Sequence, residues 1–347
     1  MEVLYVILAV LAFGLLILVH ECGHFFAARA CGVCVREFSL GMGPKLVSFT
    51  SKKTSIVYKI CLFPIGGYVS MAGEEEASEE PGSLSTKPAW QRLIIMAAGA
   101  ITNLLIGALI ILLIVSALPG TRTGTTVGRF SDAERPVSSY DSGLREGDKI
   151  LSIGGRRVHT GAELDYEIMR RGIRPVEVRL LRDGEEIKLS DVKFPTYVEN
   201  KQLLGGRDFY LTADDGGFFG VFRQAFYRSA MTVRMVWESF FDLVTGRYGV
   251  DALSGPVGVA GAMTDAAKSG IWNFLYLVAV ISLNLGVVNL FPLPALDGGH
   301  IVFVLWEMIT RKPVPSKVEN LIHTVGILLL FGLMILITGK DILQLFR

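Results

Sequence analysis

The chain has 347 residues, of which 51% are hydrophobic and only 19% charged, with a mean hydropathy of +0.46. Soluble domains carry about a quarter charged residues, which excludes a single large water-soluble domain. A net charge of +1 gives no field to attract a polyanion, so no nucleic-acid partner is expected.

The first predicted element is a spanning helix. Val3 to Val19 contains no charge and is long enough to cross most of about 30 Å of hydrocarbon. It lacks a basic leader and a small-residue cleavage site, so it reads as a retained helix. His20-Glu21-Cys22-Gly23-His24 follows at once. Residues four apart share a helix face, so both imidazoles reach one ion, with Glu21 beside it to take a proton from water. Ionisable groups at membrane depth are costly and mark function.

The link to the second span carries Arg29, Arg36, Lys45, Lys52, Lys53, Lys59, Lys87 and Arg92. The positive-inside rule places it in the cytoplasm, with both termini outside. Cys31-Gly32-Val33-Cys34 has no second pair to complete a metal site and reads as reduced thiols. Ser55 to Pro64 is β-rich, Gly66-Gly67 breaks it, and Tyr68 to Met71 predicts a returning strand, a membrane-associated β-hairpin. Glu74 to Glu80 predicts a solvated acidic loop.

Leu93 to Leu118 is the second span. From Gly124 to about Phe194 the composition is that of a small soluble α/β module: a helix over Ala162 to Arg171, and a strand over Val176 to Arg182 that meets the hairpin turn Asp183-Gly184. Within it, Leu144-x-x-Gly147-Asp148-x-Ile150 resembles the core motif of PDZ domains. Phe219, Phe222, Phe226, Ala230, Val233, Trp237, Phe241 and Val244 then share one face of a helix whose other flank is charged, which suits the membrane interface.

Ile271 to Leu296 and Leu321 to Gly339 are the third and fourth spans, joined by a link with Arg311, Lys312 and Lys317 that the same rule holds in the cytoplasm. The third span ends in Asn289-Leu290-Phe291-Pro292-Leu293-Pro294-Ala295-Leu296-Asp297-Gly298-Gly299-His300. Prolines break a spanning helix only where the freed backbone meets protein or water. The charge-derived topology brings Asp297 to the cytoplasmic end of the first span. Two histidines and a carboxylate with an open fourth position make a hydrolytic zinc site. Of the other histidines, His159 lies in the external module and His323 opens the last span without a polar neighbourhood.

Taken together, His20 to His24 and Asn289 to His300 resemble the site-2 protease family, and the order of parts is similar to its bacterial regulator of sigma-E protease branch. Phe38 to Pro44, Pro64 to Val69, Gly99 to Asn103 and Leu253 to Gly258 carry the resemblance over nearly the whole chain. It implies that His20, His24 and Asp297 bind Zn2+, that Glu21 is the catalytic base, and that Asn289 with Gly66, Gly67 and Tyr68 holds substrate. Cys22 stands where the family often has Phe, a change of packing, and the one PDZ-like module stands where some relatives carry two.

The expected architecture is an α-helical polytopic membrane protein with four spans, the β-hairpin and an inserted PDZ-like domain. Its parts are an N-terminal membrane domain (1–118), an extracytoplasmic PDZ-like domain (119–197), a linker with the interfacial helix (198–260) and a C-terminal membrane domain (261–347). The expected activity is that of a zinc metalloendopeptidase of the bacterial inner membrane. It would cut the transmembrane segments of single-span proteins, such as an anti-sigma factor or signal-peptide remnants. A membrane transporter or metal-handling protein is the alternative, one that leaves Glu21 without a task.

Overall fold

The computed structural model describes residues 2–74, 80–131, 138–199, 202–214, 216–246 and 254–345. Most of the expected acidic loop (75–79) and Leu253 of the Leu253 to Gly258 segment lie outside these. The chain forms two compact units, residues 1–110 with 232–347 and residues 111–231.

Among the described residues α1 (Glu2–Ala30), α2 (Ala89–Ala117), α7 (Ile271–Asn289) and α9 (Ser316–Leu345) contain four stretches long and apolar enough to cross a membrane. Many of their large apolar side chains are exposed, Val3, Leu105, Leu329 and Leu336 among them, as lipid-solvated helices require. α6 (Pro256–Lys268) packs on α1 and α7, burying Ala9, Leu16, Met263, Phe274 and Val278 together. Its first turn is capped from α9: Asp341 Oδ2 accepts from the Gly255 and Gly258 N–H groups at 2.8 and 2.9 Å.

The segment between α1 and α2 forms a small curled sheet from β1 (Val35–Thr50) and β2 (Val57–Met71). Here the structure corrects the expected hairpin. Residues 57–60 and 67–71 do not pair with each other; both pair with the start of β1, so that Phe38 faces Tyr58 on one side and Val69 on the other. The second half of β1 turns back and pairs with residues 57–61. Gly67 to Met71 is therefore an edge, and its Gly67 lies against α1: a Cβ there would stand 3.2 Å from Glu21 Cγ and 2.9 Å from the Ser39 carbonyl.

In the second unit β3 (Thr123–Phe130), β4 (Lys149–Ile153), β6 (Val176–Arg182), β7 (Glu185–Val192) and β10 (Phe209–Ala213) form a sheet in the order β10-β3-β4-β6-β7. β5 (Arg156–Arg157) pairs with β4, and β8 (Thr196–Glu199) with β9 (Gln202–Gly205). Asp183 and Gly184 both take positive φ (52° and 88°) between β6 and β7, as a tight hairpin turn needs. After the single turn α3 (Ser138–Asp141), α4 (Gly161–Arg171) is capped by Thr160, whose hydroxyl accepts from the Glu163 N–H. Leu144, Ile150, Ile153, Leu164, Ile168 and Leu180 fill the core. Fully buried Asp148 is paired by Arg182 at 2.7 and 2.8 Å and accepts from the Arg145 N–H, so the Gly147-Asp148 motif is a folding device here.

α5 (Gly217–Val244) carries the expected stripe, with Phe219, Phe222, Phe226, Phe241 and Val244 exposed. Its last turns pack on the proline-rich segment, where Trp237 and Phe240 sit 4.5 and 4.3 Å from the buried ring of Phe291.

Candidate metal centre

His20 and His24 project from one face of α1, and both are buried. Asp297 begins α8 (Asp297–Thr310), directly after the broken end of α7. The structure brings these three side chains together. The His20 and His24 Nε2 atoms are 3.2 Å apart, and Asp297 Oδ2 lies 3.2 and 3.3 Å from them. Asp297 Oδ2 is buried without a hydrogen-bond partner among the described residues.

Those separations test the fit to zinc. Zinc bonds of about 2.0–2.1 Å in a tetrahedron set neighbouring donors roughly 3.3 Å apart. Three lone-pair donors at that spacing, one of them an unpartnered carboxylate oxygen, repel one another unless a cation lies between them. The donor set fits the ion.

The histidines are fixed from behind, by contacts the motif itself does not reveal. His24 Nδ1 donates to the Ile95 carbonyl at 2.8 Å, which leaves its Nε2 lone pair facing the centre. His20 Nδ1 lies 3.3 Å from the carboxamide Nδ2 of fully buried Asn103, whose Oδ1 has no partner among the described residues. Turning that carboxamide over satisfies both groups, with His20 Nδ1–H donating to Oδ1 and Nε2 free toward the centre. Asn103 is itself held where Ser282 of α7 donates to its carbonyl at 2.8 Å. Gly99, one helical turn before it, makes room for the rings: a Cβ there would stand 2.3 Å from His24 Nε2 and 2.8 Å from His20 Nε2.

Glu21 points toward the sheet edge, within hydrogen-bonding reach of the Val69 backbone N–H. Gly66 has φ +92° and Gly67 lets the edge approach Glu21. Tyr68 is turned to other work: its hydroxyl donates to Glu37 Oε2 at 2.8 Å, beside Lys59 Nζ at 2.7 Å. Those two bonds hold the Glu37 carboxyl below its ordinary range. Asn289 ends α7 half-buried, with no side-chain hydrogen bond among the described residues. His159 stacks on Tyr227 in the other unit.

His323 requires a correction. Its surroundings are polar: Nδ1 accepts from the Ala295 N–H at 3.0 Å, and its ring stacks on His300, which pairs with Glu319 at 3.1 Å. Sequence alone gave no sign of this, because the contacts join two segments whose register is set by packing.

Residues 8–333 match peptidase family M50. The chain belongs to that family. A Clostridium perfringens protein with a provisional zinc metalloprotease name is 34% identical over 98% of this chain and 99% of its own. The regulator of sigma-W protease RasP of Bacillus subtilis is 29% identical over 98% and 99% of the two chains, and the zinc metalloprotease RasP of Geobacillus kaustophilus 29% over 97% of each. This M50 member is a zinc metalloprotease and, with four helices among its described residues long and apolar enough to cross a membrane, a multi-pass membrane protein. The transporter alternative falls with that membership.

Proposed function

We propose that the protein cuts transmembrane segments of single-span membrane proteins within the bilayer, with zinc bound by His20, His24 and Asp297. The observation that carries this reading is the triangle of donor atoms 3.2–3.3 Å on edge at the end of an apolar helix. Zinc, when bound, supplies Lewis acidity to a water and to a peptide carbonyl. Glu21 takes the proton of the attacking water and holds it for the leaving amine. Oxygen adds to the scissile carbonyl carbon, and the C–N bond breaks as the amine is protonated.

A helical substrate satisfies its own carbonyls and has to unwind to expose one. The Gly67 to Met71 edge, next to Glu21, offers backbone groups to an unwound strand, and the free carboxamide of Asn289 offers a further hydrogen bond. Tyr68 serves by bracing that edge through Glu37, in place of a direct contact.

Residues 119–197 are proposed as an extracytoplasmic PDZ-like domain that filters substrates, between membrane domains at 1–118 and 261–347, with 198–260 as linker and interfacial helix. The basic links support this orientation, with the metal centre toward the cytoplasm. Single-module membership of the regulator of sigma-E protease branch, in the bacterial inner membrane, belongs to the same proposal. RasP of B. subtilis is named for regulation of sigma-W, which supports a membrane-bound anti-sigma factor as one substrate class.

The test is Glu21→Gln in the full chain, assayed on a single-span substrate alongside zinc content. Zinc is expected to stay while cleavage is lost. Retained turnover would remove Glu21 from the chemistry.

A further inference from the structure

The cluster of His300, Glu319 and the buried His323 has ligand-type atoms within 4.8 Å of one another, yet the chemistry argues against a second ion. The His323 Nδ1 lone pair is taken by the Ala295 N–H, which leaves the neutral ring's proton on Nε2, buried and without a partner among the described residues. His300 Nδ1 is taken by Glu319. Each ring's bonded nitrogen is already engaged.

What the cluster does hold is backbone. Ala295 has φ +72°, the left-handed region that a residue with a Cβ avoids. Such a conformation persists only where the surroundings over-determine it. The Leu296 N–H closes the turn on the Leu293 carbonyl at 3.3 Å, with Pro294 and Ala295 as its central residues, and the Ala295 N–H is held from α9 by His323; the strained residue lies two before Asp297. Around it α9 presses close: a Cβ on Gly326 would fall 2.3 Å from Pro294 Cβ, and one on Gly299 would fall 3.1 Å from His323 Cε1. His323 also stacks on His300 at 3.8 Å and 14°, three residues beyond Asp297, with Phe303 edge-on at 5.6 Å. One imidazole thus grips the chain on both sides of the carboxylate.

We propose that His323 is a positioning residue for the metal centre: by accepting the Ala295 N–H it locks the left-handed turn that aims Asp297 at His20 and His24. The inference rests on Asp297 being a zinc ligand, and the test separates the two. Zinc affinity is measured by competition with a chelator on the detergent-purified full chain, for wild type, Asp297→Ala, His323→Ala, His323→Asn, and His323→Ala combined with Ala295→Gly. Asn places an amide oxygen near the position of Nδ1, and Gly removes the cost of positive φ.

His323→Ala is expected to weaken zinc roughly 10–100-fold, the usual effect of losing an outer-shell contact. Both His323→Asn and the double variant are expected to recover most of that loss, with cleavage following zinc. Recovery in the double variant also distinguishes positioning from a general packing defect, since Gly restores no contact with α9. If Asp297→Ala binds zinc as tightly as wild type, the ligand assignment itself fails. If Asp297→Ala loses zinc while His323→Ala keeps it, or neither second change recovers it, the positioning role alone is overturned.

Discussion

The side chains behind the two histidines carry as much of the argument as the histidines do. Asn103 fixes the His20 tautomer and Gly99 vacates the space for both rings. Asn103→Leu removes the acceptor for His20 Nδ1–H and is expected to weaken zinc roughly 10–100-fold by chelator competition, whereas Asn103→Asp keeps an acceptor and most of the affinity. Gly99→Ala puts a methyl group 2.3 Å from His24 Nε2 and is expected to abolish zinc binding, read as zinc per chain. The meeting of His20, His24 and Asp297 was legible because a helix fixes the i, i+4 relation and because charge in an apolar stretch is rare. The role of His323 was not, since nothing local to it signals that α9 lies across the Ala295 turn.

The elements most readable in the sequence are those whose pattern is local. The spans follow from hydropathy, and β6, the Asp183-Gly184 turn and α4 from period and turn chemistry. The curled sheet was the least readable. Gly41 and Gly43 take φ +84° and +89° where β1 turns back, and residues 67–71 pair with the start of β1 and not with residues 57–60. Proline substitutions along Gly67 to Met71 are expected to raise KM with zinc content unchanged; unaltered KM at every position would remove strand addition. Glu37 titrates below its ordinary 4.5, so its bonds to Lys59 and Tyr68 stabilise the sheet above that pH and are lost as pH falls through the depressed value. Glu37→Gln is expected to flatten that acid-side loss in thermal unfolding. Asp341→Ala strands two N–H groups at the start of α6 and is expected to cost about 1–3 kcal/mol, seen as a lower Tm.

Across the whole molecule, the centre joins residues almost three hundred positions apart, and the breaks at Pro292 and Pro294 are what let a span end in a carboxylate facing another span. The inserted sheet has its own core and a buried Asp148 paired by Arg182, and none of His20, His24 and Asp297 lies in it. Removing residues 124–194 is expected to broaden the set of proteins cut; an unchanged set would end its role as a filter. The most direct measurement is X-ray absorption at the zinc edge on the active full-length protein. Two imidazoles and oxygen donors near 2.0–2.1 Å are expected. A thiolate at about 2.3 Å, from Cys22 or any other cysteine, or an unchanged spectrum in Asp297→Ala, would contradict the account.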